Sequence, residues 1–379
     1  MTKNPLLKLK DYGQSVWLDF LSREILDSGK LKRLIDEDGL SGVTSNPSIF
    51  KKAIADSDDY DDAIRDLVQQ DCQIEEIYQT IVVEDIQRAA DLLRPTYDAS
   101  AGRHGFVSLE VSPHLAYETD GTIEEARRLW AAVERPNVFI KVPATLDGLP
   151  AIQQLISEGI NINVTLLFGL PRYQKVAEAY IAGIENRVKA GQPVDSVASV
   201  ASFFLSRIDV LVDPILESYY KKDAKQADLA RKLHGQVAIA SAKIAYQMYK
   251  DIFNSSRFKE VAKAGAKPQR VLWASTSTKN PAYSDVKYIE ALIGPETINT
   301  MPLDTLDAYR DHGQPALRLE DGVAEAHRVL NDLSELGLTL AEVTQQLEEE
   351  GVQKFNDPFD ILMETLEKKC EQYRAAEPI

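Results

Sequence analysis

Cysteines are scarce in this 379-residue chain, which contains only Cys72 and Cys370, 298 positions apart and neither with a partner at metal-binding spacing. So few cysteines indicate neither a metal-binding cysteine motif nor an oxidising compartment. No apolar run approaches the roughly 18 residues of a membrane-spanning helix, and the N-terminal residues lack the long apolar stretch of a signal peptide. We therefore expect a soluble, cytoplasmic protein that inserts into no membrane.

Clusters of basic residues are also missing. The chain has 43 Lys and Arg against 59 Asp and Glu, which gives a formal net charge of −16. Nucleic acid binding depends on grouped cations, so this balance argues against a nucleic acid partner. The five histidines show no metal-binding spacing, and neither a P-loop nor a GxGxxG motif occurs. We expect no metal and no bound cofactor.

What the sequence does contain is a repeated alternation of short apolar runs and amphipathic segments with helical period. The runs are four to eight residues long and rich in Val, Ile and Phe, which is typical of strands covered on both faces of a parallel sheet. They are Ser15–Asp19, Gly39–Thr44, Phe106–Val111, Val138–Val142, Ile160–Leu166, Val197–Phe204, Arg270–Ser275 and Thr297–Met301. Eight such units predict a closed (β/α)8 barrel, an α/β fold. The competing open, doubly wound sheet usually has a glycine-rich turn after its first strand, and none follows Asp19.

Two stretches are longer than a simple barrel connection requires. Residues 51–100 and 206–269 are predicted to be helical insertions within a single barrel domain of residues 1–379. About 40 residues at the C-terminus are predicted to form a helical extension that packs over the barrel or closes its mouth. Among the connecting helices, Thr122 and Glu125 have the spacing of a capping box, and a helix opened by Pro150 is expected to stop at Gly159.

Ionisable residues end three of the apolar runs, where the active sites of barrel enzymes lie. Lys141 lies within a buried strand, and an ammonium there is costly unless it is paired or neutral. A desolvated neutral amine is a nucleophile suited to Schiff-base chemistry. Asp19 and Glu110 occupy equivalent positions and could supply acid–base catalysis. The alternative for each is a structural salt bridge or hydrogen bond, with the lysine head reaching solvent.

Hydroxyl and amide side chains follow several other strands. Asn163 and Thr165 share one face of the fifth strand, because side chains alternate along a strand. Such groups suit a polyhydroxylated substrate, while Arg207 and Lys279 suit a phosphate. Many of these hydroxyls could instead be helix caps. We expect the excess acidic residues, including those in 57–66 and 347–350, to lie on outer helices away from these two cations.

Three segments resemble a known family. Residues 42–50 (GVTSNPSIF) are similar to the signature around the second strand of the transaldolases, and residues 140–145 (IKVPAT) to their Schiff-base lysine segment. Residues 159–168 (GININVTLLF) are similar to the strand that follows. The likeness runs nearly end to end, in the same order, and is strongest to the longer bacterial members.

The resemblance implies a (β/α)8 barrel that transfers a dihydroxyacetone unit between sugar phosphates in the non-oxidative pentose phosphate pathway. The donor would be sedoheptulose 7-phosphate or fructose 6-phosphate, and the acceptor glyceraldehyde 3-phosphate or erythrose 4-phosphate. Lys141 would form the Schiff base, and Asp19 would take the proton from the C4 hydroxyl. Glu110 and Thr165 would hold a catalytic water.

The resemblance also implies a set of substrate-binding residues. Hydroxyl groups of the dihydroxyacetone unit would contact Asn46, Asn163 and Ser202, beside a wall formed by Phe204. The phosphate would contact Arg207 and Ser275. Many shorter family members have an arginine two residues after the serine that matches Ser275, whereas the nearest cation here is Lys279. A lysine offers a point charge rather than a bidentate fork.

Two alternative functions, aldol cleavage and sugar-phosphate binding without catalysis, are also compatible with the sequence. Related fructose 6-phosphate aldolases tend to carry a tyrosine at the position of Phe204, so the phenylalanine favours transfer over simple aldol cleavage. A catalytically silent barrel that binds sugar phosphates would need none of Asp19, Glu110 and Lys141 in their ionisable forms. The sequence leaves the protein as either a monomer or a homodimer.

Overall fold

The computed structural model describes residues 4–376, and eight parallel strands in it close into a barrel in the order in which they occur along the chain. The strands are β1 (Gln14–Asp19), β2 (Gly42–Thr44), β3 (Phe106–Glu110), β4 (Val138–Pro143), β5 (Ile162–Leu167), β6 (Ser199–Phe204), β7 (Arg270–Ala274) and β8 (Thr297–Met301). Closure is made by β8 pairing with β1, in a register that sets Trp17 opposite Thr300. The predicted (β/α)8 barrel and all eight strands are confirmed.

Helices surround this barrel and fill the connections between its strands. Those before β4 are α1 (Pro5–Asp11), α2 (Arg23–Asp27), α3 (Lys30–Asp38), α4 (Pro47–Phe50), α5 (Asp61–Gln69), α6 (Ile74–Ala99) and α7 (Thr119–Val133). Those between β4 and β7 are α8 (Gly148–Glu158), α9 (Leu170–Lys189), α10 (Ser206–Ser218), α11 (Ala224–Leu233), α12 (Val237–Phe253) and α13 (Ser256–Ala262). The last four are α14 (Lys287–Ala291), α15 (Leu303–His312), α16 (Val323–Glu335) and α17 (Leu340–Ala376). Short 3-10 turns occur at Pro113–Tyr117 and Tyr219–Lys221, and a π-helical turn at Lys51–Ala55.

Aromatic side chains fill the part of the barrel interior nearer the amino ends of the strands. Trp17 stacks on Phe139 at 6.1 Å between ring centroids, and Phe139 stacks on Phe106 at 4.2 Å. Gly42 is required beside this stack, because a Cβ there would lie 2.3 Å from the Trp17 ring. This apolar plug separates the amino end of the barrel from the carboxyl end, where barrel enzymes bind their substrates.

Strand β5 is interrupted by a bulge between Val164 and Leu167, where its pairing with β6 shifts register. Leu166 takes a positive φ of 53° there, an uncommon conformation for a residue with a side chain. Bulges bend a strand and redirect its side chains, and they are frequent beside active sites. Thr165 lies within this bulge and Phe168 directly after it.

Both long stretches between strands are helical, as predicted. Helices α5 and α6 occupy residues 51–100, and α10 to α13 occupy residues 206–269. Within them, α6 packs on β3 and α12 packs on β7 and α9, so these two helices are also the connections of the barrel itself.

The C-terminal extension is one long helix, α17, which packs across α4, α5, α6 and α10 and touches β5. A buried ion pair joins it to α9: Arg172 Nη1 lies 2.8 Å from Glu348 Oε2. The helix therefore lies over the carboxyl end of the barrel. No helix within residues 4–376 is long and apolar enough to cross a membrane.

One local prediction is wrong. The capping box at Thr122 and Glu125 does not form, because α7 already begins at Thr119. The Thr122 hydroxyl donates to the carbonyl of Leu115, and the Glu125 carboxylate accepts from the backbone N–H of Ser112. The helix predicted from Pro150 to Gly159 does stop at Gly159, which has a φ of 89°, but it starts at Gly148.

Candidate active site

A cavity of about 190 Å³ opens at the carboxyl ends of the strands, beneath α17. Nine of the residues predicted from sequence line it: Asp19, Asn46, Lys141, Thr165, Ser202, Phe204, Arg207, Ser275 and Lys279. Glu110 and Asn163 lie directly behind this lining and contact residues that form it. The structure therefore brings the whole predicted set together around one cavity.

Lys141 is 4% exposed and lies on β4 with its ammonium group inside the barrel. Its Nζ donates to the backbone carbonyl of Ser45 at 2.8 Å and lies 3.1 Å from Glu110 Oε2. A buried ammonium is tolerated only when it is paired and hydrogen-bonded, and both conditions are met here. The strand register fixes this pair, because Glu110 on β3 is the direct neighbour of Lys141 on β4.

Burial acts on both carboxyl groups beside this lysine. Desolvation raises the pKa of Glu110, although the charge and hydrogen bond of Lys141 oppose the shift. Desolvation also raises the pKa of Asp19, opposed first by its hydrogen bond from Thr44 and then by the charge of Lys141. Both carboxyl groups are therefore biased towards binding a proton, which suits them to proton transfer.

Asp19 is held in position by two threonine hydroxyls in series. Thr44 Oγ1 donates to Asp19 Oδ1 at 2.7 Å and lies 2.7 Å from Thr300 Oγ1. Because the Thr44 hydroxyl donates to the carboxylate, Thr300 is the donor in the second bond. This chain leaves the other oxygen of Asp19 available to the cavity.

At this site, two buried oxygen atoms have no hydrogen-bond partner among residues 4–376: Glu110 Oε1 and Thr165 Oγ1. Buried polar atoms are nearly always paired, so each unpaired one requires an explanation. Glu110 is the partner of Lys141, and Thr165 lines the same cavity as Lys141, so a water or a substrate oxygen in the cavity is the kind of partner that these atoms lack.

Asn163 is fully buried and is held on both sides. Its Nδ2 donates to Ser108 Oγ at 3.1 Å, and its Oδ1 accepts from Ser202 Oγ at 2.6 Å. Ser202 itself lines the cavity. In this state Asn163 supports Ser202 rather than lining the cavity.

Asn46 combines structural and site roles. Its Oδ1 caps α4 by accepting from the backbone N–H of Ile49 at 3.1 Å. Helix capping, the ordinary alternative role of an asparagine at such a turn, applies here to the side-chain oxygen only. The amide N–H groups of Asn46 stay available to the cavity that this residue lines.

Arg207 is the deepest cation of the cavity mouth. Its Cζ lies 5.5 Å from the centroid of the Phe204 ring, and its Nη1 is buried without a hydrogen-bond partner. Desolvation lowers the pKa of Arg207. A guanidinium with an unused N–H group facing a cavity is a ready site for a phosphate or carboxylate.

Lys279 and Ser275 complete this side of the cavity. Lys279 lies closer to solvent, and its Nζ donates to Ser277 Oγ at 2.6 Å. Desolvation and then the charge of Arg207 lower the pKa of Lys279. Ser275 takes a positive φ of 53°, and its hydroxyl lies 2.9 Å from that of Ser206.

Acidic residues were expected on outer helices, away from the cations of the cavity. This expectation is confirmed for residues 57–66 and is wrong for part of residues 347–350. The acidic side chains of Asp58, Asp59, Asp62 and Asp66 are exposed. Glu348, in contrast, is buried in its pair with Arg172, and Glu350 lies near enough to Arg207 to influence its charge. Within residues 4–376, no carboxylate forms an ion pair with Arg207 or Lys279, since Glu350 pairs with Lys354 instead.

Sequence reasoning missed several residues that line the cavity, of which Thr300 and Phe355 make the most informative contacts. Thr300 is a polar residue within the apolar strand β8, a signal of the kind that identified Asn163 and Thr165. Phe355 lies on α17, and its ring centroid is 5.8 Å from Lys141 Nζ and 5.9 Å from Arg207 Cζ. No local pattern marks Phe355, because its position depends on where the helix docks.

The cavity therefore offers a buried amine between two carboxyl groups, unpaired oxygens beside the amine, and two cations at the mouth. Such an arrangement can bind a small polar anion and move protons around a nucleophilic nitrogen. Elsewhere within residues 4–376, no group of three or more His, Cys, Asp or Glu is close enough to hold a metal ion.

Comparison with known proteins agrees with this site. The model of the transaldolase/fructose-6-phosphate aldolase family matches residues 16–366. Transaldolase 2 of Nostoc sp. is 48% identical over 374 residues, which covers 97% of this chain and 98% of that protein. Transaldolases of Trichodesmium erythraeum and Parafrankia sp. are 46% identical over 376 residues and 47% identical over 366 residues, and both matches cover at least 96% of this chain and 98% of the relative.

The chain belongs to the transaldolase/fructose-6-phosphate aldolase family, and it is a transferase of the kind for which these relatives are named.

Proposed function

We propose that the protein transfers a dihydroxyacetone unit from a ketose phosphate to an aldose phosphate through a Schiff base on Lys141. The donor is sedoheptulose 7-phosphate or fructose 6-phosphate, and the acceptor is glyceraldehyde 3-phosphate or erythrose 4-phosphate. The observation that carries this proposal is the buried Lys141–Glu110 pair, with one unpaired oxygen on Glu110 and another on Thr165, which lines the same cavity as Lys141.

The first step requires a neutral amine. Glu110 can accept a proton from the Lys141 ammonium, because its Oε2 lies 3.1 Å from Nζ and burial raises the pKa of this carboxyl. Lys141 Nζ then attacks the ketose C2, and its lone pair forms the C–N bond as the carbonyl oxygen gains a proton. Loss of that oxygen as water gives the imine.

Formation of this imine releases a water molecule, and its hydrolysis consumes one. Glu110 Oε1 and Thr165 Oγ1 are the groups that would hold it, since neither has a protein partner. A water bound between them would also satisfy two buried polar atoms at once. Thr165 is thereby assigned to positioning the water and Glu110 to moving its proton.

Carbon–carbon cleavage is assigned to Asp19. Its carboxylate takes the proton from the C4 hydroxyl, the C3–C4 bonding electrons move into the imine, and the aldose leaves. The acceptor aldose then reacts with the resulting enamine, and Asp19 returns the proton to the new hydroxyl. The charge of Lys141 lies close enough to favour the ionised form of Asp19, which this role needs.

Substrate binding is assigned to the remaining cavity residues. Asn46 and Ser202 bind the hydroxyls of the dihydroxyacetone unit, with Asn163 holding Ser202 in place. Arg207 binds the phosphate with the unused Nη1, assisted by Ser275 and by Lys279. Phe204 carries no hydroxyl that could direct water onto the enamine, which favours transfer over aldol cleavage.

The wider setting is also a proposal. We infer a role in the non-oxidative pentose phosphate pathway, in the cytoplasm, by a monomer or homodimer acting on small sugar phosphates without cofactor, membrane or nucleic acid. Two free cysteines, one of them buried, are compatible with a reducing compartment.

Borohydride trapping tests the central step. The protein is incubated with fructose 6-phosphate, reduced and digested, and the peptides are examined by mass spectrometry. We expect a reduced dihydroxyacetone adduct on the peptide that contains Lys141 and none with Lys141→Met. Lys279→Met serves as the matched control and retains the adduct.

Each result has a distinct meaning. An adduct on Lys141, together with a new ketose phosphate that forms only when an aldose phosphate is added, supports transferase activity. Release of free dihydroxyacetone without an acceptor would instead support simple aldol cleavage. Substrate binding with no adduct on Lys141 would favour the non-catalytic sugar-phosphate-binding barrel.

A further inference from the structure

A second cavity, of about 310 Å³, lies at the opposite end of the barrel from the candidate active site. We call it the floor cavity and define it by six of its residues: Lys10, Ser15, Arg103, His104, Arg270 and Glu296. Arg270 is the first residue of β7, whereas Ser275, at the candidate active site, follows the last residue of the same strand. The two cavities are thus separated by the length of a strand and by the aromatic plug.

The Arg270 side chain is buried, with only 8% of the residue exposed. It forms no ion pair with a carboxylate within residues 4–376, and its hydrogen bonds go to neutral groups. Its Nη1 donates to Ser15 Oγ at 3.1 Å, and its Nη2 donates to the carbonyl of Arg103 at 2.7 Å. A guanidinium carries about five N–H donors, so most of its donor capacity is unused. The charge of Glu296 acts on Arg270 from a distance, but Glu296 is paired with Arg103. Burial of a cation without a directly paired counter-charge is costly, and an anion from solvent would relieve that cost.

The ionisable groups around Arg270 add to the positive charge. Lys10 forms no ion pair within the described part of the chain, and Arg103 pairs with Glu296. The other nearby carboxylate, Asp38, is neutralised by two hydrogen bonds from Arg310. In a chain of net charge −16, the floor cavity therefore has more cations than anions.

The pKa of His104 is affected by these positive charges. Burial, followed by the charges of Arg270, Arg103 and Lys10, lowers the pKa of His104 to about 4. The imidazole is therefore neutral near neutral pH, and its Nδ1 lies 3.2 Å from Ser15 Oγ. Because Ser15 accepts from Arg270, its own hydroxyl hydrogen is free to be donated to His104, which leaves Nε2–H as a further donor.

We propose that the floor cavity is an oxyanion-binding site, separate from the active site, that takes inorganic phosphate or a small phosphate monoester. The planar donor fork of Arg270 matches the geometry of phosphate oxygens, and Lys10 supplies a second charge at the rim. The volume is in the range of small-ligand sites. Binding to the folded state also stabilises the barrel floor by mass action.

Equilibrium dialysis with radiolabelled inorganic phosphate tests this site. The experiment uses the full chain carrying Arg207→Ala and Lys279→Ala, so that the cations of the candidate active site contribute nothing. We expect one phosphate per chain to bind saturably. Adding Lys10→Ala and Arg103→Ala should weaken binding about 10-fold or more, by removing charge-assisted donors.

Two further variants separate a binding site from a structural effect. Glu296→Gln removes the carboxylate that pairs with Arg103 and should tighten phosphate binding several-fold, a gain that misfolding would not produce. Arg33→Ala with Lys225→Ala removes the same charge from exposed positions that form no ion pair within residues 4–376 and should leave binding unchanged.

The remaining outcomes are equally clear. Displacement of phosphate by glycerol 3-phosphate would identify the site as one for monoesters, and lack of displacement as one for the free ion. Absence of saturable binding, or binding indifferent to the Lys10, Arg103 and Glu296 changes, would overturn the proposal. Because the readout is binding at the far end of the barrel, it is independent of the proposed catalytic reaction.

Discussion

The ring of Phe355, on the C-terminal helix, lies 5.8 Å from Nζ of Lys141 on strand β4. The same ring lies 5.9 Å from Cζ of Arg207, so one aromatic side chain contacts both the amine and the guanidinium of the candidate active site. Helix α17 therefore supplies a wall of the cavity as well as covering the barrel.

Phe355→Ala should lower kcat/KM about 10- to 100-fold, because the roof over Lys141 is lost and water enters the cavity. We also expect the ratio of aldose-independent cleavage to transfer to rise. Steady-state kinetics with and without acceptor would measure both quantities. Phe359→Ala is the matched control: it lies one turn further along α17, packs against Tyr78 at 5.5 Å, and should leave kcat/KM near the wild-type value.

Thr44→Val should shift the acidic limb of the pH profile of kcat/KM to higher pH, by roughly one unit. Asp19 must be ionised to accept the C4 hydroxyl proton, so activity falls as pH drops through its pKa. Burial already raises that pKa above its ordinary value of 3.8, and the Thr44 hydrogen bond lowers it again. Removing this bond moves the pKa, and with it the acidic limb, upwards. Thr44→Ser keeps the hydroxyl and should leave the acidic limb at its wild-type pH. A shift of the limb to lower pH in Thr44→Val would contradict the assignment of Asp19 as the proton acceptor.

Asp19→Asn should abolish transfer and yet stabilise the fold by about 1 kcal/mol near neutral pH, as is common when a strained active-site group is replaced. The folded-state pKa of Asp19 is raised, so its ionised form opposes folding at high pH, and the wild type regains stability as pH falls through that pKa. The difference in the free energy of unfolding between the variant and the wild type should therefore become smaller as the pH falls. Urea unfolding at about pH 8 and about pH 5 measures this difference. Asp59→Asn, at an exposed position, should show no such pH-dependent gain.

Arg207→Ala should raise KM for fructose 6-phosphate about 10- to 150-fold, the range expected when a charge-assisted hydrogen bond is lost. Lys279→Ala should have a smaller effect, because Lys279 lies nearer solvent and is bonded to Ser277. Trapping of unphosphorylated dihydroxyacetone on Lys141 should be unchanged in both variants. An equal loss with phosphorylated and unphosphorylated substrates would assign Arg207 to another role.

The barrel and most of the candidate site could be predicted from sequence because their signals are local. A buried parallel strand is a short apolar run, and a residue such as Lys141 stands out within one. Parallel closure then brings the ends of all eight strands to one rim, which is why Asp19, Glu110 and Lys141 meet despite their separation in sequence.

Other features depend on tertiary contacts and could not be predicted in this way. Thr122 and Glu125 have the spacing of a cap, but each finds a partner in the preceding turn, and α7 starts earlier. Glu348 occurs in an acidic run typical of an exposed helix face, yet docking of α17 places it against Arg172. Phe355 reaches the cavity through the same docking.

The order in which these parts are synthesised has a consequence for the cell. About 200 residues separate Lys141 from Phe355, a stretch that takes on the order of 10–40 s to translate at roughly 5–20 residues per second. During that interval a nascent chain carries Lys141 without the Phe355 ring that lies beside it in the finished fold. The cavity is therefore complete only after the helix of residues 340–376 has left the ribosome and docked.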